Sequence, residues 1–197
     1  MRNVAIVISF GLLFLTSLSR VGAQTFRIVM VVATKDFTDQ EYLEPRTVFE
    51  KADAAIVLCS TSTLPAISHN GLKVNPQVST AALTLDQFDA IVLVGGLGAV
   101  TSLVHDEPLR KLLVEADARH KIIAAICLAP TVLARAGLLK NVIATCYVDA
   151  STINYLKSNG ASYMDKTVVV SGRIVTANGP DASKEFARQV LTLLQGK

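Results

Sequence analysis

Residues 121–130 have the sequence KIIAAICLAP. The apolar run that opens this stretch is typical of a parallel strand buried on both faces, and Pro130 suits the first turn of a helix. Cys127 is therefore expected at a tight strand-to-helix turn, where small alanine neighbours leave room and free backbone N–H groups favour a thiolate. The stretch predicts a reactive thiol at a strand end. A buried cysteine that acts only as a small apolar side chain is the alternative.

Similar apolar runs recur along the chain and alternate with segments of helical character. The main strand candidates are residues 27–33, 54–59, 89–94 and 121–126, and the helix candidates include residues 41–52, 107–118, 130–136 and 182–194. Short apolar strands that alternate with helices are typical of a doubly wound sheet. The sequence therefore predicts an α/β fold with a mostly parallel sheet and helices on both faces.

Two segments break this alternation. Residues 66–78 contain Asn70-Gly71 between short extended pieces, and residues 167–176 contain two apolar runs around a Ser-Gly-Arg turn. Both segments predict hairpins. A chain of 197 residues, 51% of them hydrophobic, can bury a core without disulfide or metal support. Since no linker or repeat interrupts it, we expect one domain spanning residues 25–197.

The first 23 residues differ from the rest of the chain. A short basic start is followed by the apolar run VAIVISFGLLFLTSL at residues 4–18 and then by small residues before Gln24. This layout is typical of a secretory signal peptide cleaved after Ala23. An uncleaved anchor is the alternative, although the run is shorter than the about 20 residues that span a bilayer. We therefore expect export to a secreted, periplasmic or secretory-lumen location, with no stable membrane anchor after cleavage.

The net charge of +3 does not indicate a polyanionic partner. Lys and Arg are dispersed, and two of them, Arg2 and Arg20, lie in the leader. Aromatic–basic interleaving and zinc-finger spacing are both missing from the sequence, so no nucleic-acid binding is expected. The sequence also has no evident cluster of metal ligands and no complete GxGxxG dinucleotide fingerprint. We therefore expect neither a metal nor a nucleotide cofactor.

Two other strand candidates are followed by residues that could bind a ligand or take part in a reaction. Residues 95–98, GGLG, follow the third strand. Glycines let a bound group approach the backbone closely, and their N–H groups can hold an oxyanion. A plain strand-to-helix turn is the alternative. Residues 36–45, DFTDQEYLEP, follow the first strand and supply four carboxylates, which could instead favour a helix start with Asp39 as its cap. Ligands of open α/β sheets bind beyond the carboxyl ends of the strands.

Together these motifs resemble the DJ-1/PfpI superfamily, whose members are cysteine nucleophile-elbow proteins similar to class I glutamine amidotransferases. The matching pieces are EYLEP, DAIVLVGGLGA, AAICLAP, ARAGLLK, VVVSGRIVTA and a late GP before the last helix. Their order and spacing agree with the family pattern over nearly all of the chain after the leader. The resemblance implies a flavodoxin-like sandwich with a reactive cysteine in the elbow, and it implies a homo-oligomer, commonly a homodimer.

The resemblance also assigns roles to individual residues. Cys127 matches the reactive cysteine, and Glu41 matches a glutamate that hydrogen-bonds the thiol. A protonated Glu41 would donate to the thiolate and lower the thiol pKa. Gly96 and Leu128 would supply the backbone amides of an oxyanion site. Tyr147 takes the place of a polar residue near the cysteine and could contact substrate, and a tyrosine half-buried at a strand end is the alternative.

The sequence departs from the peptidase-like members at Leu128, where those proteins carry a histidine. No histidine therefore adjoins Cys127 as a general base. His120 begins the strand that ends before Cys127, so it is expected at the surface, as is His69 in the first hairpin. His105 follows the glycine loop, and a capping or surface role is favoured over a site role.

Several functions are compatible with a reactive Cys127. We favour an enzyme of the glyoxalase or deglycase type, acting on a small-molecule electrophile or on modified protein side chains. The alternatives are a redox-sensing, stress-protective protein with little turnover, a PfpI-type cysteine peptidase, and a binding module. Cys59 and Cys146 are expected to be packing residues, with a resolving-thiol role for Cys146 as the alternative.

Overall fold

A computed structural model describes residues 25–196. The predicted signal peptide, residues 1–23, lies outside the described residues. The strands, in chain order, are β1 (Arg27–Val31), β2 (Lys35–Phe37), β3 (Ala55–Ser60), β4 (Ala66–Ser68), β5 (Lys73–Val74), β6 (Val78–Ser79), β7 (Ala90–Leu93), β8 (Ile122–Ile126), β9 (Ile143–Ala144), β10 (Ser162–Tyr163), β11 (Val168–Ser171) and β12 (Ile174–Ala177). The helices are α1 (Asp39–Lys51), α2 (Leu97–Thr101), α3 (Glu107–Ala118), α4 (Pro130–Arg135), α5 (Ala150–Ser158) and α6 (Ser183–Gln195), with short 3-10 turns at Leu103–His105 and Pro180–Ala182.

Seven strands form the central sheet, in the order β11-β12-β8-β7-β1-β3-β6. Every neighbouring pair is parallel except β11 and β12, which form an antiparallel hairpin. The predicted α/β class with a mostly parallel sheet is confirmed. Both predicted hairpins are present, the first as β4 and β5 in a small sheet beside β2.

The sheet separates two apolar cores, and β1 contributes to both. Ile28 and Met30 belong to the core that includes Phe186 of α6, whereas Val29 and Val31 belong to the core that includes helices α3, α4 and α5. This alternation follows from the period of two along a strand. Because helices cover both faces, the carboxyl-end edge of the sheet is left for ligand binding. Within residues 25–196, no helix combines the length and apolar character needed to span a membrane.

The start of α1 differs from one expectation. The cap residue is Thr38, so the alternative in which Asp39 is the cap is wrong, although Asp39 and Glu41 do lie in the first turn as that alternative expected. The Asp39 carboxylate instead accepts hydrogen bonds from Ser68 Oγ at 2.7 Å and from the side-chain amide of Asn70 at 3.0 Å. These bonds tie the beginning of α1 to the β4–β5 hairpin.

Candidate active site at the carboxyl edge of the sheet

Three adjacent strands bring the candidate residues together. In the order β8-β7-β1, Leu93 of β7 is paired with Ala125 of β8 on one side and with Val31 of β1 on the other. The chain leaving β8 carries Cys127, the chain leaving β7 carries the two glycines, and the chain leaving β1 leads into α1 with Glu41. Segments far apart in sequence therefore meet at one edge.

Cys127 occupies a sharp backbone turn. Its φ is +64°, a value that residues other than glycine adopt uncommonly. The turn is held from both sides, because the Cys127 N–H donates to the Ala177 carbonyl at 2.9 Å and the Tyr147 N–H donates to the Cys127 carbonyl at 2.8 Å. Such backbone strain costs roughly 1–3 kcal/mol and clusters at functional sites. Cys127 is 6% exposed, so little of it meets solvent.

Glu41 lies in α1, fully buried, beside the elbow. Neither carboxyl oxygen has a hydrogen-bond partner of ordinary geometry among the described residues. The glycine loop leaves the space for this carboxyl, since a Cβ atom on Gly95 would lie 2.5 Å from Oε2 of Glu41 and 2.6 Å from Cβ of Cys127. Gly96, with φ of +99°, is similarly constrained, because a Cβ there would lie 2.4 Å from the Asp36 carbonyl oxygen.

Burial dominates the electrostatics of this pair. It raises the pKa of Glu41 to about 7, while proximity to the Cys127 thiol and the Gly95 amide opposes the rise. Those contacts are looser than ordinary hydrogen bonds, so burial decides the direction in which the pKa of Glu41 shifts. Burial also raises the pKa of the Cys127 thiol, and the negative charge of ionised Glu41 raises it further, whereas the amides of Gly96 and Leu128 lower it. The low thiol pKa expected from sequence is therefore wrong, because burial and the Glu41 carboxylate together outweigh the amides and leave the thiol pKa above its ordinary value.

The protonation state of each group affects the other. When Glu41 holds the proton, its charge no longer repels a thiolate and its O–H can donate to sulfur. When the sulfur holds the proton, Glu41 is the adjacent base that can accept it. Glu41 is thus placed to exchange a proton with Cys127, which is the chemistry expected of a cysteine nucleophile without a neighbouring histidine.

Comparison with known proteins gives the family. The sequence profile of the DJ-1/PfpI family matches residues 27–193. This chain belongs to the DJ-1/PfpI family. An uncharacterised protein of Methanocaldococcus jannaschii is 37% identical to this DJ-1/PfpI chain. The match covers 89% of this chain and 86% of that relative. Its fold matches the crystal structure of a ThiJ/PfpI domain protein from Brachyspira murdochii with a TM-score of 0.83 and 33% identity, covering 88% of this chain and 98% of that one. The flavodoxin-like fold is confirmed.

Two further relatives carry functional names. A Caenorhabditis elegans protein named glutathione-independent glyoxalase DJR-1.2 is 26% identical over 85% of this DJ-1/PfpI chain and 88% of the relative. A Bacillus subtilis protein provisionally named as a cysteine protease, YraA, is 32% identical over 85% of this chain and 98% of the relative. The family therefore includes proteins named for different reactions.

A cavity of about 700 Å³ lies next to the elbow of this DJ-1/PfpI protein. Leu128, which follows Cys127, and Tyr147, whose N–H binds the Cys127 carbonyl, both line it. Tyr147 is 47% exposed, so its ring is accessible from the cavity. His105 lines the same cavity, whereas His69 is exposed on the first hairpin. Of the candidates named from sequence, Leu128, Tyr147 and His105 line this cavity, whereas Cys127, Glu41 and Gly96 are not among its lining residues.

The remaining cysteines lie on the other side of the sheet. Cys59 and Cys146 are fully buried in the core that contains α3, α4 and α5, whereas Cys127 packs in the core that contains α1 and α6. All three thiols are free. Complete burial supports packing roles for Cys59 and Cys146. Of the other carboxylates, Glu44 forms an ion pair with Lys184 at 3.4 Å instead of approaching the thiol.

Several residues around the cavity carry no functional signal in the sequence. Leu97, Arg135 and Tyr155 line it, and they come from α2, α4 and α5. No local pattern marks these residues, because only the packing of three helices brings them together. Among residues 25–196, His, Cys, Asp and Glu side chains form no group of three or more that could hold a metal ion.

Proposed function

We propose that the protein is a cysteine-dependent enzyme that converts an α-oxoaldehyde into a 2-hydroxycarboxylic acid. The observation that carries the proposal is the pairing of Cys127, in a strained elbow, with the fully buried carboxyl of Glu41. A proton donor and acceptor beside a nucleophile is what addition to a carbonyl requires. The name of the glyoxalase relative points to the same chemistry.

The first step is addition of sulfur to the aldehyde carbon. The S–H proton of Cys127 passes to the carboxylate of Glu41 as the S–C bond forms. The aldehyde oxygen becomes an oxyanion that the amides of Gly96 and Leu128 stabilise, since the same amides already lower the pKa of the thiol. Glu41 then returns its proton to this oxygen, which gives a hemithioacetal.

The second step moves hydrogen between the two substrate carbons. Glu41 removes the proton from the former aldehyde carbon and delivers a proton to the neighbouring ketone carbon, while the hydroxyl proton on the former aldehyde carbon passes to the ketone oxygen. One carbon is thereby oxidised and the other is reduced. The result is a thioester of a 2-hydroxy acid on Cys127. Water hydrolyses the thioester, releases the acid and restores the thiol. The net reaction adds one water molecule and needs no external oxidant or reductant.

The other functions considered from sequence have less support. A cysteine peptidase of the usual kind needs a histidine base, and the residue after Cys127 is Leu128. A sensor oxidised by dissolved peroxide and an enzyme that adds to a carbonyl both need access to a sulfur that is 6% exposed, so access does not separate them. The adjacent Glu41 carboxyl favours carbonyl addition, because this reaction needs a group that accepts and returns a proton.

The test is formation of lactate from methylglyoxal by the purified protein. We expect turnover by the wild type, none by Cys127→Ser, and a loss of about 100-fold to 10,000-fold in kcat/KM for Glu41→Gln, which is the usual contribution of a positioned acid–base group. Glu44→Gln, one turn further along α1, is the matched control and should retain activity. Unchanged turnover by Cys127→Ser, or none by the wild type, would remove the proposal.

A further inference from the structure

The cavity beside Cys127 is large for a small aldehyde. Its volume of about 700 Å³ falls within the about 300–1,000 Å³ typical of pockets that hold drug-sized ligands. A substrate as small as methylglyoxal, bound at the sulfur, would leave most of this space unfilled. The dimensions therefore suit a substrate that extends well beyond the reacting carbonyl groups.

The wall of the cavity is mostly apolar. Six of the lining side chains are aliphatic or aromatic, namely Leu97, Val100, Val104, Leu128, Tyr147 and Tyr155. Leu97 is 56% exposed and adds apolar surface to this wall. Apolar side chains that line a concave surface gain free energy when an apolar ligand displaces water from them.

Four of the eight polar side chains in the lining already have partners, namely Thr131, Asp149, Ser151 and Thr152. The Thr131 hydroxyl donates to the Leu128 carbonyl at 2.6 Å. The hydroxyls of Ser151 and Thr152 donate to the carboxylate of Asp149, and these bonds lower the pKa of Asp149 to about 2. These groups cap α5 and have little capacity left for a ligand. A substrate that filled the cavity would therefore meet mainly carbon.

We infer that the enzyme prefers α-oxoaldehydes that carry an apolar group of phenyl size or larger, an inference that rests on the reaction proposed above. The dicarbonyl end would lie at Cys127, between Leu128 and Tyr147. The apolar group would lie against Leu97 and Val100 of α2, with Tyr155 of α5 also in the wall. Arg135 and His105 also line the cavity, and no salt bridge holds Arg135 among residues 25–196.

The experiment compares phenylglyoxal with methylglyoxal as substrates of the full chain. Initial rates of mandelate and lactate formation give the two values of kcat/KM, and Cys127→Ser protein corrects for reaction of phenylglyoxal with arginine side chains. We expect a ratio of roughly tenfold or more in favour of phenylglyoxal, since each apolar group buried in a pocket contributes about that much discrimination.

Two variants test whether the cavity causes the substrate preference. Leu97→Ser removes an exposed apolar wall residue, and Val100→Thr replaces one wall residue by a polar isostere; each should lower the phenylglyoxal-to-methylglyoxal ratio several-fold. Leu64→Ser changes a leucine that is 71% exposed outside the cavity and should leave the ratio unchanged.

The outcomes separate this inference from the proposed reaction. Lactate formation with a ratio of one or less, or a ratio that neither wall variant lowers, would overturn the substrate preference and leave the reaction standing. Absence of both products from the wild type would overturn the reaction and the preference together.

Discussion

Gly95 and Glu41 are in such close contact that the glycine cannot acquire a side chain without displacing the carboxyl. A Cβ atom at Gly95 would lie 2.5 Å from Oε2 of Glu41 and also 2.5 Å from the Ile126 carbonyl oxygen. Contacts this short with backbone require the structure to shift. The glycine loop after β7 therefore serves the elbow by leaving room for the carboxyl as well as by offering its amides.

This contact predicts a severe effect of Gly95→Ala. We expect the free energy of unfolding to fall by about 3 kcal/mol or more, because overpacking at a rigid backbone site is not relieved by side-chain movement. Activity should fall as well, since Glu41 is pushed away from the thiol. Chemical denaturation and methylglyoxal turnover measure the two effects.

Gly172→Ala is the matched control for this substitution. Gly172 has φ of +58°, and an added Cβ there meets no atom within 4 Å. We expect a cost of about 1 kcal/mol from the left-handed backbone alone, with activity retained. Equal losses of stability for both alanine variants would contradict the assigned role of Gly95.

The raised pKa of Glu41 predicts a pH-dependent stability with a definite sign. Because burial raises this pKa from 4.5 to about 7, the folded state binds a proton more tightly than the unfolded state. The contribution of the group is therefore fully present below pH 4.5 and is lost as pH rises to about 7. Its size is about 3 kcal/mol.

Urea unfolding from pH 4.5 to pH 8 measures this loss. The wild type should lose stability relative to Glu41→Gln over that range, since the glutamine variant has no proton to release. Glu44→Gln should follow the wild type, because it leaves the buried carboxyl in place. A constant difference between the wild type and Glu41→Gln at every pH would show that the Glu41 pKa is not raised.

The three thiols should differ in reactivity. Cys59 and Cys146 are fully buried, and burial raises the pKa of each to about 12. Burial raises the pKa of the Cys127 thiol as well, but Cys127 is 6% exposed, the amides of Gly96 and Leu128 favour its thiolate, and its neighbour Leu128 lines the cavity. Brief iodoacetamide treatment at pH 8 should therefore label Cys127 first, and all three thiols should react in denaturant. Peptide mass spectrometry identifies the sites, and earlier labelling of Cys59 or Cys146 would count against an active thiol at Cys127.

The N-terminal segment makes a prediction independent of the active site. If residues 1–23 act as a signal peptide, protein recovered from its producing cells begins at Gln24. Intact-mass measurement decides this, and a change of Ala23 to a bulky residue should block the cleavage. Recovery from the cytoplasm of a chain that still carries residues 1–23 would contradict export.

Much of the fold follows from local sequence. Short apolar runs separated by helical segments are sufficient to predict a parallel sheet. The periodicity of strands and helices, and the turn residues that end them, are properties of residues close together in sequence. The segment KIIAAICLAP predicts the elbow for the same reason, and Asn70-Gly71 predicts the first hairpin. The order of motifs along the chain was also enough to indicate the DJ-1/PfpI family.

Tertiary structure alone decided the surroundings of the thiol. The complete burial of Glu41, its contact with Gly95 and the upward effect of burial on the pKa of Cys127 arise from three strands that lie far apart in sequence. The apolar cavity likewise needs α2, α4 and α5 to pack together. Desolvation and cavity shape sum contacts from the whole fold, so no single stretch of sequence contains them.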